Sequence, residues 1–189
     1  MLYNTLMFLS YLACRTPRPI LLGAGWLLGN LYYLLIPKMR RRAVEHMMPA
    51  LGISETEAKS LVRASFINMA RNVLDILAMP MLNESNLNEY IEIDHLERMQ
   101  EALAEGRGVV VLTGHVGCWE WLSAAFTLNG IPVSAIAKPQ PNIEYTRVLD
   151  DLRATIHVEI FSRGTSELIA AARALKRGRL LGFLADQDG

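Results

Sequence analysis

Val109-Val110-Val111-Leu112-Thr113-Gly114-His115-Val116-Gly117-Cys118-Trp119-Glu120-Trp121 passes from one kind of structure to another within a few residues. The apolar, largely β-branched run up to Leu112 reads as a buried strand. Small residues around Gly114 and Gly117 stop it, and the Trp-Glu-Trp that follows reads as the opening of a helix. Strand-to-helix junctions are where α/β proteins commonly mount chemistry. A neutral histidine at such a junction can act as a base near neutral pH, and a nearby carboxylate can fix its tautomer and stabilise its charged form. His115 occupies that junction. Glu120, five positions on, can reach back to the second ring nitrogen.

The same alternation continues outward. The strand over 109–112 leads to a helix near 119–128, closed by Gly130. A strand over 133–137 leads through Pro139-Gln140-Pro141-Asn142 to a helix near 143–153. A strand over 158–161 leads through Ser162-Arg163-Gly164 to a helix near 166–176, and a last strand covers 179–185. Strands alternating with helices of this length predict an α/β fold with a largely parallel sheet flanked by helices. Upstream, Ser54 and Glu57 form a capping box. The helix behind it places Ala58, Val62, Phe66, Met69, Val73 and Leu77 on one inward stripe. Asp94 reads as the cap of a further helix, with Glu97 in its first turn, Leu96, Met99 and Leu103 turned inward, and Gly106 ending it.

At 189 residues the chain fits one core of useful size, and its hydrophobic content is 51%. The net charge is zero but unevenly spread. Residues 1–44 carry Arg15, Arg18, Lys38, Arg40, Arg41 and Arg42 and no acidic residue. The rest therefore carries thirteen basic against nineteen acidic side chains. Such asymmetry points the N-terminal end at an anionic surface. Nucleic acid is a poor partner, because the remainder is acidic and lacks basic residues interleaved with aromatics. Cys14 and Cys118 form no framework and no metal pattern, which fits a reducing compartment. Residues 19–37 are uncharged and close to the roughly 20 residues that cross a bilayer. Pro17, Pro19 and three glycines favour a monotopic or re-entrant attachment over a full span. Trp26, Tyr32 and Tyr33 suit the headgroup level, and the basic residues that follow stay cytoplasmic. A buried core helix is the plainer alternative. The expected organisation is a membrane-anchoring segment over 1–42 and an α/β domain over 43–189.

The His-x-x-x-x-Glu box, in the setting Gly-Arg-Gly-Val-Val-Val-Leu-Thr-Gly-His-Val-Gly-Cys-Trp-Glu-Trp, resembles the bacterial lipid A biosynthesis acyltransferases of the lysophospholipid acyltransferase superfamily. Gly-x-Trp-Glu after the histidine is the more specific cue. Further similarity runs through the basic stretch 39–42, Phe66-Ile67-Asn68-Met69-Ala70-Arg71, Arg153 and the closing Ala185-Asp186-Gln187-Asp188-Gly189. The resemblance implies transfer of a fatty acyl chain from acyl carrier protein to a hydroxyl of a lipid A precursor. It implies no cofactor and no metal, and a place on the cytoplasmic face of the inner membrane. It also implies a longer chain, since the last strand ends in a turn where a domain rarely stops.

Under this resemblance His115 is the general base and Glu120 its orienting partner, the logic of a hydrolase triad with the substrate supplying the hydroxyl. Gly114 and Gly117 leave room for substrate, and N–H groups at the helix start can hold an oxyanion. The plainer alternative is a core histidine beside a glutamate favoured by the helix dipole. Cys118 is a small buried residue rather than an acyl-carrying nucleophile. His46, His95 and His157 offer no third ligand for a metal at His115 and Glu120. Of Trp119 and Trp121, one packs in the core and the other lines an apolar groove. Arg153 matches a family arginine that binds phosphate or the reacting carbonyl, with a surface pair to Asp150 as the alternative. Arg163 follows a strand on the substrate face and suits a phosphate. Asp186 either contacts a polar headgroup or belongs to an ordinary turn. Other functions open at this point are an acyl-CoA-dependent enzyme acting on another glycolipid or lysophospholipid, a thioester hydrolase, and a non-catalytic membrane-associated binding protein.

Overall fold

The computed structural model describes residues 1–162 and 164–186. Helices α1 (Leu2–Arg15), α2 (Arg18–Leu35), α3 (Pro37–Leu51) and α4 (Glu55–Ala78) come first. The short α5 (Leu87–Tyr90) and α6 (Leu96–Ala104) follow. Then the alternation begins: β1 (Val109–Thr113), α7 (Trp119–Thr127), β2 (Val133–Ile136), α8 (Ile143–Ala154), β3 (Glu159–Phe161), α9 (Thr165–Lys176) and β4 (Leu180–Leu184). The chain divides into two compact units, Met1–Cys14 with Ile76–Gly189, and Arg15–Asp75.

In the first unit all strands run parallel, in the order β1-β4-β2-β3. Parallel strands need helical crossovers, and α7, α8 and α9 supply them. Side chains alternate across β4. Leu180 joins Ile131 and Val133 in a core layer against Leu96, Met99, Leu103 and Phe126. Leu181 and Phe183 turn the other way, onto Phe161, Ala171 and Ala174 of β3 and α9. Every strand and helix expected from residue 109 onward is present, within two residues at each end. Asn142 caps α8 by accepting the Glu144 N–H at 2.9 Å. α1 buries Ser10, whose hydroxyl donates to the Leu77 carbonyl at 2.6 Å. Its Tyr3 donates to Asp151 of α8 at 2.5 Å.

Two upstream details differ from expectation. Asp94 does not cap α6. His95 occupies the cap in a left-handed conformation (φ 59°), and its ring lies 3.0 Å from Glu97. The α4 stripe is only half inward. Ala58, Val62 and Leu77 are buried, whereas Met69 and Val73 are 54% and 50% exposed. The spacings of three and four keep all six residues within about 100° of one another around the helix, so the exposure of Met69 and Val73 reflects what lies beside that stretch and not helical drift.

In the second unit the α4 capping box forms as read. Ser54 N–H donates to Glu57 at 2.9 Å, and Glu57 N–H donates to the Ser54 hydroxyl at 3.3 Å. Val44, Ala58 and Val62 form a small core with Tyr33, Met47 and Phe66 around it. α2 meets α4 through Gly25, beside Arg71, and Gly29, beside Ile67. A Cβ on Gly29 would lie 2.4 Å from the Ile67 Cα, so only glycine permits this approach. Pro37 starts α3 and forces the break at Ile36. No single helix among the described residues is long and apolar enough to cross a membrane. α2 and α3 pass that test only as a pair, bent by 92°.

Candidate active site

The site grows from the register of two strands. β1 and β4 are parallel neighbours with Thr113 opposite Leu184, and the Ala185 N–H donates to the Thr113 carbonyl at 3.0 Å. Two residues beyond each strand end, His115 and Asp186 therefore stand side by side. Asp186 Oδ2 accepts the His115 backbone N–H at 2.8 Å, and Oδ1 lies 2.8 Å from the ring Nδ1. These bonds, the backbone one foremost, hold the Asp186 carboxyl below its ordinary pKa. The His115 side chain is 31% exposed, and its ring meets Trp119 edge-on at 4.8 Å.

Glu120 does not reach back to His115 as expected. It sits in the first turn of α7, buried, and both of its oxygens accept from Arg153 at the end of α8, from Nε at 2.9 Å and Nη2 at 2.6 Å. Asp150 stands 3.7 Å from the other guanidinium nitrogen. Burial is the largest influence on Arg153 and acts against its charge. The bonds and charge of Glu120, helped by Asp150, outweigh it, and the pKa is raised. A bidentate carboxylate–guanidinium pair of this kind is both strong and geometrically fixed. The site thus holds two carboxylate–base pairs, His115–Asp186 and Glu120–Arg153.

The pairs share a cavity of about 630 Å³ lined by His115, Trp119, Glu120, Lys138, Leu149 and Arg153. A smaller apolar recess of about 60 Å³ runs from Trp119, Glu120 and Arg153 between α7 and the sheet, past Leu122, Phe126 and Val158. Trp119 lines both spaces. Trp121 is the core tryptophan, 6% exposed and edge-on to Tyr90 at 6.2 Å. Lys138, two residues beyond the β2 end, also lines the larger cavity, a site residue that the sequence reading misses. Its position after a strand on the face of His115 was the available signal.

The two glycines have different surroundings. A Cβ on Gly114 would lie 3.1 Å from the Asp186 carboxyl, so the space it leaves admits Asp186. Gly117 adopts φ 59° in the turn into α7, and the space at its missing Cβ is open. Asp186, read as a headgroup contact or a plain turn, is the residue that grips His115. Arg163 and Asp188 lie outside the described residues. Among the described residues no group of three or more His, Cys, Asp or Glu side chains is placed to hold a metal ion. The arrangement leaves one imidazole nitrogen available to a substrate proton, beside a fixed cation and an apolar recess.

A family model described as bacterial lipid A biosynthesis acyltransferase matches residues 2–189. A phosphatidylinositol mannoside acyltransferase of Mycolicibacterium smegmatis is 26% identical over 91 residues, covering 48% of this chain and 30% of that protein. The matched part thus spans under a third of that relative's length.

Proposed function

This chain belongs to the bacterial lipid A biosynthesis acyltransferase family, and from that premise we propose that it is an O-acyltransferase moving a fatty acyl chain from an acyl thioester to a hydroxyl of a lipid A precursor. The observation that carries the reading is the His115–Asp186 contact at the wall of the larger cavity. With Nδ1 held by Asp186, Nε2 is the nitrogen left for the acceptor.

In the proposed reaction Nε2 takes the acceptor hydroxyl's proton as its oxygen attacks the thioester carbonyl. The C–O bond forms, the carbonyl oxygen gains negative charge, and collapse breaks the C–S bond. The thiolate leaves with the proton returned by the imidazolium. Asp186 fixes the tautomer and stabilises the charged ring, the part first given to Glu120. Glu120 acts instead through Arg153, holding the guanidinium at the cavity wall beside the developing oxyanion or a substrate phosphate. First-turn N–H groups of α7 assist the same oxyanion. The apolar recess behind Trp119 receives the start of the acyl chain. Direct transfer needs no acyl-enzyme, no metal and no cofactor.

Acyl carrier protein is the proposed donor. The enzyme sits on the cytoplasmic leaflet of the inner membrane, attached through α2 and α3, where its lipid acceptor resides. The similarity to a phosphatidylinositol mannoside acyltransferase favours one second reading, transfer to another glycolipid, for which acyl-CoA is the proposed donor.

The test incubates membranes bearing wild-type or His115→Ala protein with labelled acyl carrier protein or acyl-CoA thioesters and a lipid A precursor. Labelled glycolipid from wild type alone supports the reading, and the donor that works separates its two forms. Free fatty acid without acceptor would make the protein a thioester hydrolase. Equal product from both proteins would remove His115 from the reaction.

A further inference from the structure

The second compact unit carries features that the reaction does not use. α2 buries only Leu21, Gly25 and Gly29. Leu27, Leu31, Leu34 and Leu35 remain between 48% and 68% exposed. A helix that faces water normally presents a polar outer face, and a contiguous exposed apolar surface marks an interaction site. At Ile36 the chain bends by 92° into α3, whose first turns read Pro37-Lys38-Met39-Arg40-Arg41-Arg42.

Cations collect beside this apolar face. A groove of about 650 Å³ between α3 and the start of α4 is lined by Lys38, Arg40, Arg41 and Lys59, with Glu45 and Glu55. A second groove, of about 480 Å³, shares Lys59 and adds Arg63, Tyr33 and Leu34. Together the grooves hold five cations against two carboxylates. Those carboxylates are engaged only in exposed pairs one helical turn apart, Arg41–Glu45 at 3.4 Å and Lys59–Glu55 at 2.7 Å. Such pairs are weak and yield readily to a phosphate. Leu34 lies on the wall of a groove that Lys59 and Arg63 also line, so apolar and cationic surfaces meet there.

We propose that this unit is a docking site for glycerophospholipids of net negative headgroup charge at a bilayer surface. The headgroup phosphate sits among Lys38, Arg41, Lys59 and Arg63, and the acyl chains lie against Leu31, Leu34 and Leu35. The proposal deepens the membrane part of the reading above and rests on it. It names a lipid that holds the protein in place, distinct from the acceptor that reacts. The occupant is a lipid because a free anion would leave the leucine face uncovered.

The full chain is floated with vesicles of phosphatidylcholine alone or of phosphatidylcholine mixed with phosphatidylglycerol, over a range of salt. Binding to the mixed vesicles should be the stronger and should fall with ionic strength. Lys59→Glu with Arg63→Glu should weaken binding to mixed vesicles by about tenfold or more. Leu34→Glu should weaken binding to both. Lys59→Gln with Arg63→Gln, matched to wild type by circular dichroism, should show a smaller loss in the same direction. His115→Ala should bind as wild type does, so a failure of the transferase reading leaves this result standing. Equal binding to the two vesicle types, or no loss on charge reversal, overturns the proposal. Salt-insensitive self-association without vesicle binding would also overturn it and give the leucine face to a second copy.

Discussion

Asp186 grips His115 twice, taking its backbone N–H and its ring Nδ1 at 2.8 Å each. A double contact fixes the imidazole in rotation and in tautomer. Asp186→Asn keeps the shape but offers an amide where the charged ring wants a carboxylate. We expect kcat to fall by about 10²-fold or more with KM little changed. Stability carries a second signature. Because the Asp186 pKa is lowered in the folded chain, its contribution is present above the ordinary carboxylate pKa. It is lost as pH falls through the lowered value. A kcat unmoved in Asp186→Asn would deny it any influence on His115.

Glu120 and Arg153 form a nearly enclosed pair, with side chains 8% and 14% exposed. Removing one partner strands the other's charge. Glu120→Ala should therefore destabilise by about 3–5 kcal/mol, read as a lower denaturant midpoint. Glu120→Leu combined with Arg153→Met should cost less than the two single changes added together. Additive losses would mean that the two residues do not act on each other.

These pairings mark the limit of what the chain shows before it is folded. The β1 junction, the alternation after it and the capping box at Ser54 depend on neighbours in sequence, and each appears where it was read. Asp186 lies 71 positions from His115. Their meeting depends on β4 inserting beside β1, a strand order that periodicity does not encode. Nearness in sequence pairs Glu120 with His115. Its side chain leaves the first turn of α7 toward α8 and finds Arg153 33 positions away. The outward turn of Met69 and Val73 has the same origin, since the partners of α4 change along its length.

Cys118 stands immediately before α7, beside the box but without a side-chain capping bond. Direct transfer gives its thiol no part in the chemistry. Cys118→Ala should keep activity within about threefold of wild type, since replacing one small residue near a helix start costs little. Mass spectrometry of enzyme quenched during turnover should find no acyl group on Cys118. A thioester-linked adduct that turns over would replace direct transfer with a two-step route.

Gly29 and Gly23 lie on the same helix and should respond in opposite ways. A methyl on Gly29 would meet the Ile67 Cα at 2.4 Å and backbone atoms at 2.8 Å, none of which can rotate aside. α2 and α4 would have to separate, at a cost of about 1–3 kcal/mol. Gly23 has nothing within 4 Å of a Cβ, so alanine there only removes freedom from the unfolded chain and adds helix propensity, a gain of about 0.4–1 kcal/mol. Thermal unfolding of the two variants measures both effects. Loss at Gly29 with gain at Gly23 is the signature of close helix packing through one glycine face. Equal responses would mean that α2 does not rest on α4 through Gly29.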